Sequence, residues 1–274
     1  YSLSEPGMSM MRWIKQTLLR FLPAGLVHAL RRAYYPGVVA RFDESRWPLS
    51  RVARLLIKPG DRVVDAGANI GYVTAMLARW VGSAGQVFSF EPVPETYDFL
   101  RHNITSLHLA QVKLFNCALS AEDGEAVMSV PLYEAGYENP YEARIMGGAG
   151  PAAIDGRRVR VAVRQLDSAL KEMEEPITFL KIDVEGHELE LLRGANTLIE
   201  KWHPAMVIEI GEDPVRARET AVLLKKKGYS VFRWVEEKLR PVEADDDFHD
   251  DCFFLTADQY TTCRRGLEGT ALAG

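Results

Sequence analysis

Cysteine is scarce in this 274-residue chain: Cys117, Cys252 and Cys263 are isolated, odd in number and without metal-ligand spacing. That excludes a disulfide framework and a thiolate metal cluster, and it fits thiols of a reducing, cytoplasmic compartment. Long hydrophobic runs are missing too; none approaches the roughly 18 residues of a membrane span. An excess of basic charge is the third absence. Lys plus Arg number 33 against 38 Asp plus Glu, a formal net charge of −5. A general nucleic-acid binder, usually strongly basic, is thereby disfavoured. The remainder, 47% hydrophobic and 26% charged, is an ordinary globular composition without internal repeats, and it suits one large domain with an appendage.

Acid is locally absent as well. Between Pro6 and Phe42 there is none, while Arg12, Lys15, Arg20, Arg31, Arg32 and Arg41 supply six positive charges. Met11, Ile14, Leu18, Leu19 and Leu22 recur at roughly helical spacing, and Pro23-Ala-Gly25 interrupts before a second helical stretch. Three readings compete for residues 1–48: a basic amphipathic helical cap, peripheral contact with an anionic membrane, and a targeting segment. The cap is the favoured one.

From position 51 the chain alternates strand and helix. Strands are expected at 62–65, 86–91, 112–119, 177–183 and 205–210, with helices at 69–81, 94–107, 187–201 and 214–227. A polar strand pair, 125–131 and 158–163, brackets an insertion at about 131–157 that holds Tyr133, Tyr137, Tyr141 and Pro140. Its rings suit stacking on an acceptor; a free-standing insertion is the equal alternative. Two last strands, 230–234 and 252–256, have no helix between them. The fold expected is α/β: a Rossmann-like, mainly parallel seven-stranded sheet with an antiparallel edge hairpin. It spans 49–265, and 266–274 form a frayed tail.

The chemistry is concentrated in Arg62-Val-Val-Asp65-Ala-Gly67-Ala-Asn69-Ile-Gly71-Tyr72 and in Glu91, which closes the next strand. Such a strand–glycine-turn–helix unit cradles a nucleoside, and the second acid takes the ribose hydroxyls. A dinucleotide fingerprint starting at Gly67 needs glycine at 69 and 72, where Asn69 and Tyr72 stand. Asp65 would also repel a pyrophosphate. An acid there suits a ligand with a cationic end, such as the amino and sulfonium groups of S-adenosylmethionine. An NAD-dependent oxidoreductase is therefore the weaker alternative, and a catalytically inactive binding or scaffold protein is another.

A second constellation is Phe179-Leu-Lys181-Ile-Asp183-Val-Glu185-Gly186-His187-Glu188-Leu189. Asp65, Glu91 and Asp183 close three strands, and ligands in open parallel sheets collect outside such carboxyl ends. Lys181 shares a face with Asp183 on an apolar strand and needs a counter-ion, for which Glu209 is the expected partner. Asp183 and Glu209 could instead hold a divalent cation, but no complete ligand set is visible and metal is not favoured.

Together with Phe90-Glu-Pro92 and Asn116-Cys-Ala-Leu-Ser120, these stretches resemble the FkbM family of S-adenosylmethionine-dependent methyltransferases over about residues 60–256. The resemblance implies a Rossmann-like methyltransferase fold and methyl transfer, usually to a hydroxyl oxygen of a sugar, glycan or polyketide, with S-adenosylhomocysteine as product. On this footing Asp65, Gly67, Asn69 and Gly71 are expected to cradle the methionine end, Glu91 the ribose, and Ala118 and Leu119 the adenine. Asp183 should hold the cofactor amine, orient the acceptor or bind metal. An acceptor hydroxyl needs a base, for which His187 and Glu185 are candidates. His187 could equally cap its helix, while Glu188, Glu190 and Arg193 look like a solvated face. The acceptor's identity and the oligomeric state leave no trace in the sequence.

Overall fold

The computed structural model of the chain describes residues 22–131, 143–146, 156–211, 213–242 and 250–271. Arg12, Lys15 and Arg20, and the tyrosines at 133, 137 and 141, lie outside the described residues.

The main sheet is built by β1 (Arg62–Ala66), β2 (Gln86–Phe90), β3 (Val112–Phe115), β8 (Ile177–Ile182), β9 (Ala205–Ile210), β10 (Ser230–Val235), β11 (Lys238–Pro241) and β12 (Asp250–Leu255). Its spatial order is β11-β10-β12-β9-β8-β1-β2-β3. The five strands from β9 to β3 run parallel, and β12, β10 and β11 pair antiparallel at the other edge. The order reverses between β1 and β8, which leaves a crevice at their carboxyl ends.

Period-two alternation distributes the strand residues to two cores. Val64, Phe88, Leu180, Ile208 and Phe254 face α6 (Glu188–Arg193), α7 (Asn196–Trp202) and α8 (Pro214–Lys226). Val63, Val87, Phe179, Val207 and Phe253 face α2 (Ser50–Leu56), α3 (Tyr72–Val81) and α9 (Ala257–Ala271). Helix α1 (Ala24–Ala40) packs on α4 (Pro94–Ser106) through Tyr35 and Phe99.

Four expectations are corrected. The sheet has eight strands among the described residues rather than seven, because β10 turns directly into β11 through Glu236 and Glu237, both at positive φ (50° and 59°). The single strand expected at 112–119 is two: β3 stays in the main sheet, whereas β4 (Ala118–Leu119) joins a second sheet. That sheet, ordered β4-β7-β5-β6, is completed by β5 (Gly124–Pro131), β6 (Arg144–Ile145) and β7 (Gly156–Arg164). The helix expected at 187–201 breaks at Gly194, where a Cβ would stand 1.9 Å from the Ser120 carbonyl oxygen. The tail expected to fray from 266 is helical through Ala271, and Gly266 seats against Leu55 of α2.

Candidate active site

A cavity of about 360 Å³ opens at the carboxyl ends of β1, β2 and β8, within the usual range for small-molecule sites. Its floor is the 67–69 loop, one wall is Glu91 through Val93, and another is Cys117, Ala118 and Leu119. Lys181, Asp183, Glu185, His187 and Glu209 close the far end, and Phe42 and Tyr72 stand at the rim.

The loop after β1 takes its shape from close packing. Gly67, at φ 77°, lies so near β8 that a Cβ would fall 1.8 Å from the Asp183 carbonyl oxygen. Asn69 follows in the left-handed region at φ 52°, which asparagine tolerates, and its Oδ1 accepts from the Ile70 amide at 2.7 Å. Gly71, at φ 99°, is the N-cap of α3 and faces Leu100 rather than the cavity. So Gly71 shapes the turn without lining the site.

Glu91 is 5% exposed. Its two oxygens accept from the Asn69 amide at 3.0 Å and the Val93 amide at 2.9 Å, while Asn116 Nδ2 donates to the Glu91 carbonyl at 2.8 Å. Burial pushes the carboxyl up to about 7 despite those amides and nearby Lys181. A carboxylate in this state gains from further donors, and a vicinal diol supplies two.

Asp65 departs from expectation. It is fully buried and absent from the cavity wall: Oδ2 accepts from Thr74 Oγ1 at 2.6 Å, and Oδ1 lies 3.5 Å from Lys181 Nζ. Its contact with any ligand is therefore indirect, through Lys181 and the loop backbone. Lys181 Nζ also meets Asp183 Oδ2 at 3.0 Å and donates to the Gly67 carbonyl at 3.0 Å. Burial disfavours the ammonium, but Asp183 and Asp65 outweigh it and raise the Lys181 pKa. The expected Lys181–Glu209 pair is thus replaced by an Asp65–Lys181–Asp183 triad.

Glu209 instead meets Asp183, and a hydrogen bond to that carboxylate, then burial, pushes Glu209 up to about 9. Burial opposes ionisation of Asp183, yet Lys181 and the Glu209 proton keep its carboxyl below the ordinary range. Half-buried Asp251, registered opposite Glu209, is raised to about 6 by desolvation and by Asp183. The carboxylates of Asp183, Glu185 and Glu209 lie within 4.8 Å of one another and are the described residues able to hold a divalent cation. Glu185 is at φ 54°, uncommon for a non-glycine, and accepts from Arg144 Nη2 at 3.3 Å.

His187 is the N-cap residue of α6, but its side chain makes no capping hydrogen bond: Nε2 lies 2.9 Å from Ser120 Oγ, and Nδ1 lies 3.8 Å from Glu190 Oε2. Burial lowers its pKa, as does Arg216, against the opposing pull of Glu190. The expected solvated face is in fact engaged. Glu188 is 6% exposed and accepts from the Gly186 amide at 2.8 Å, and Glu190 is paired with Arg216. Ser120 escaped the sequence reading, although it closes the Asn116–Ser120 stretch.

A sequence model described as "Methyltransferase FkbM domain" matches residues 65–231. Methyltransferase sdnD of Sordaria araneosa is 30% identical over 219 residues, 66% of this chain and 80% of that protein. Hexuronic acid methyltransferase AglP of Haloferax volcanii is 27% identical over 208 residues, covering 70% and 80%. The 31-O-demethyl-FK506 methyltransferase FkbM of Streptomyces tacrolimicus is 27% identical over 196 residues, covering 64% and 75%.

Proposed function

The chain belongs to the FkbM methyltransferase family, and we propose that it transfers a methyl group from S-adenosylmethionine to a hydroxyl oxygen of a sugar, glycan or polyketide-type acceptor. The observation that carries this reading is Glu91: a buried carboxylate at the end of β2, fixed by two amides and lining the cavity with capacity for a ribose diol. The residues fit the donor elsewhere too. Cys117, Ala118 and Leu119 give an apolar wall for adenine, and Gly67 and Asn69 leave backbone close to the ligand. Asp183 presents a carboxylate toward a cationic end. Relatives named for a hexuronic acid and for a 31-O-demethyl compound support an oxygen-bearing acceptor.

The donor supplies an electrophilic methyl group on a sulfonium. The chain must supply the base, because an alcohol is a poor nucleophile at neutral pH. His187 is neutral there, its pKa lowered by burial. With Nδ1 turned to Glu190, Nε2 is the nitrogen left to accept a proton, and Ser120 Oγ now sits against it as an acceptor hydroxyl would. Nε2 would take the proton of the acceptor hydroxyl, while the donor would supply the methyl group by cleavage of its sulfonium S–C bond, leaving the neutral thioether.

Calorimetry with S-adenosylmethionine, S-adenosylhomocysteine and NADH tests the donor. Binding of the first two but not NADH is expected; the reverse, or no binding at all, overturns the reading. His187→Gln should retain donor affinity while methyl transfer to glycan or macrolide fractions falls roughly a hundredfold or more. At saturating donor the wild-type rate should be flat above the ordinary histidine value and fall with acid only below it. Unaltered turnover in His187→Gln would remove His187 from the mechanism.

A further inference from the structure

Among the described residues, helix α1 is covered on one side only. Tyr35 and His28 pack on Phe99 with ring centroids 5.1 and 4.7 Å apart, Arg32 is tied to Asp98 at 2.6 Å, and Val39 is fully buried. The other side presents Leu26, Leu30 and Tyr34 at four-residue spacing, 47%, 47% and 65% exposed, and Leu22, two residues before the helix, is exposed as well. Ala29 and Ala33 fill the gaps between them and are exposed as well. No acidic residue occurs in the helix, and its formal charges are Arg31 and Arg32. A helix apolar on both faces calls for cover on both, and the described residues supply one.

We propose that the free face of α1 docks on an anionic lipid bilayer. Charge selects this occupant. Exposed Arg31 and Arg41 flank the apolar stripe, and the stretch between Pro6 and Phe42 contains no acid in a chain whose net charge is −5. Arginines beside an apolar face attract anionic headgroups while the leucines enter the acyl boundary. Tyr34 suits the headgroup level, where amphipathic rings collect. A second copy fits poorly, because a twofold contact sets the same patch on both partners and would bring these arginines together. Docking would also set the active site beside the membrane: α1 ends at Ala40, and Phe42 is already on the cavity rim. An acceptor held in the bilayer by an apolar tail could then present its hydroxyl to the cavity.

The test is co-sedimentation of the full chain with vesicles of phosphatidylcholine alone or mixed with phosphatidylglycerol, and it is independent of methyl transfer. Wild type should bind the mixed vesicles, and bind neutral ones at least about tenfold more weakly. Arg31→Gln with Arg41→Gln should cost roughly thirtyfold, and Leu26→Glu with Leu30→Glu should abolish binding. Both double variants should keep the wild-type circular dichroism, melting point and donor affinity, since these side chains lie away from the cavity and core. The proposal is overturned if wild type ignores anionic vesicles or if the glutamate variant still sediments with them. Concentration-dependent dimerisation that the glutamate variant loses would overturn it as well, by making a second copy the occupant.

Discussion

Glu91→Gln separates the cost of burying this carboxylate from its use. Folding moves the Glu91 pKa from 4.5 to about 7, because burial disfavours the anion more than the Val93 and Asn69 amides favour it. Below the lower value both folded and unfolded chains are protonated, and the group does not affect stability. As pH rises through the window the unfolded chain ionises first, so stability falls. Above the upper value the full cost of the buried anion is present, roughly 3 kcal/mol. Glutamine does not titrate, and its penalty for turning an NH2 toward one of two amide donors is the same at every pH. Urea unfolding of both proteins between about pH 5 and pH 8 should therefore show the variant gaining roughly 2–3 kcal/mol relative to wild type as pH rises. Other titrating groups are common to both and cancel. A flat difference, or one that favours wild type at high pH, would refute the account of Glu91. Donor affinity should run the opposite way. The anion is the better acceptor for two hydroxyls, so wild-type affinity rises through about pH 7, whereas the variant is insensitive to pH and roughly tenfold to a hundredfold weaker.

The remaining predictions concern the charged floor beneath the cavity. Lys181→Met strands the buried Asp65 and half-buried Asp183 carboxylates without their cation; a loss of about 3–5 kcal/mol is expected, and a melting temperature within about 2 °C of wild type would contradict it. Glu209→Gln should be nearly neutral at pH 7, within about 1 kcal/mol, because Glu209 keeps its proton up to about 9 and the amide can still donate to Asp183. A loss above about 2 kcal/mol in denaturant would show that Glu209 is ionised at neutral pH. Gly67→Ala drives a Cβ to 1.8 Å from the Asp183 carbonyl at φ 77°. It should yield an insoluble protein or one at least about 3 kcal/mol less stable, and a wild-type melt would mean that β1 and β8 can separate at that point.

The parallel half of the sheet was legible because apolar strands that end in acids and are followed by glycine turns have few other uses. What escaped depended on contacts between distant parts of the chain. Glu236-Glu237 is not a turn signal, since two-residue hairpin loops with positive φ at both positions favour Asn-Gly; β11 was missed for that reason. The break at Gly194 exists because the Ser120 carbonyl passes there, and His187 meets a serine 67 residues away, which no spacing announces.

The Asp65 placement, by contrast, was available from alternation. Val64 and Ala66 enter the core under α6 and α8, so Asp65 must join Val63 on the α3 side, where Thr74 meets it. Lys181 shares that face, being two residues from Phe179, and so does Glu209, two from Val207. The reading that paired Lys181 with Glu209 therefore had the correct face and the wrong rung. Register sets Lys181 opposite Asp65 on β1 and Val207 on β9, and Glu209 lies one rung beyond the last β8–β9 pair, Ile182 with Ile208. One residue of register decides the chemistry. It gives the lysine two carboxylates to neutralise, and it leaves Glu209 beside Asp183 as a carboxyl whose pKa is raised.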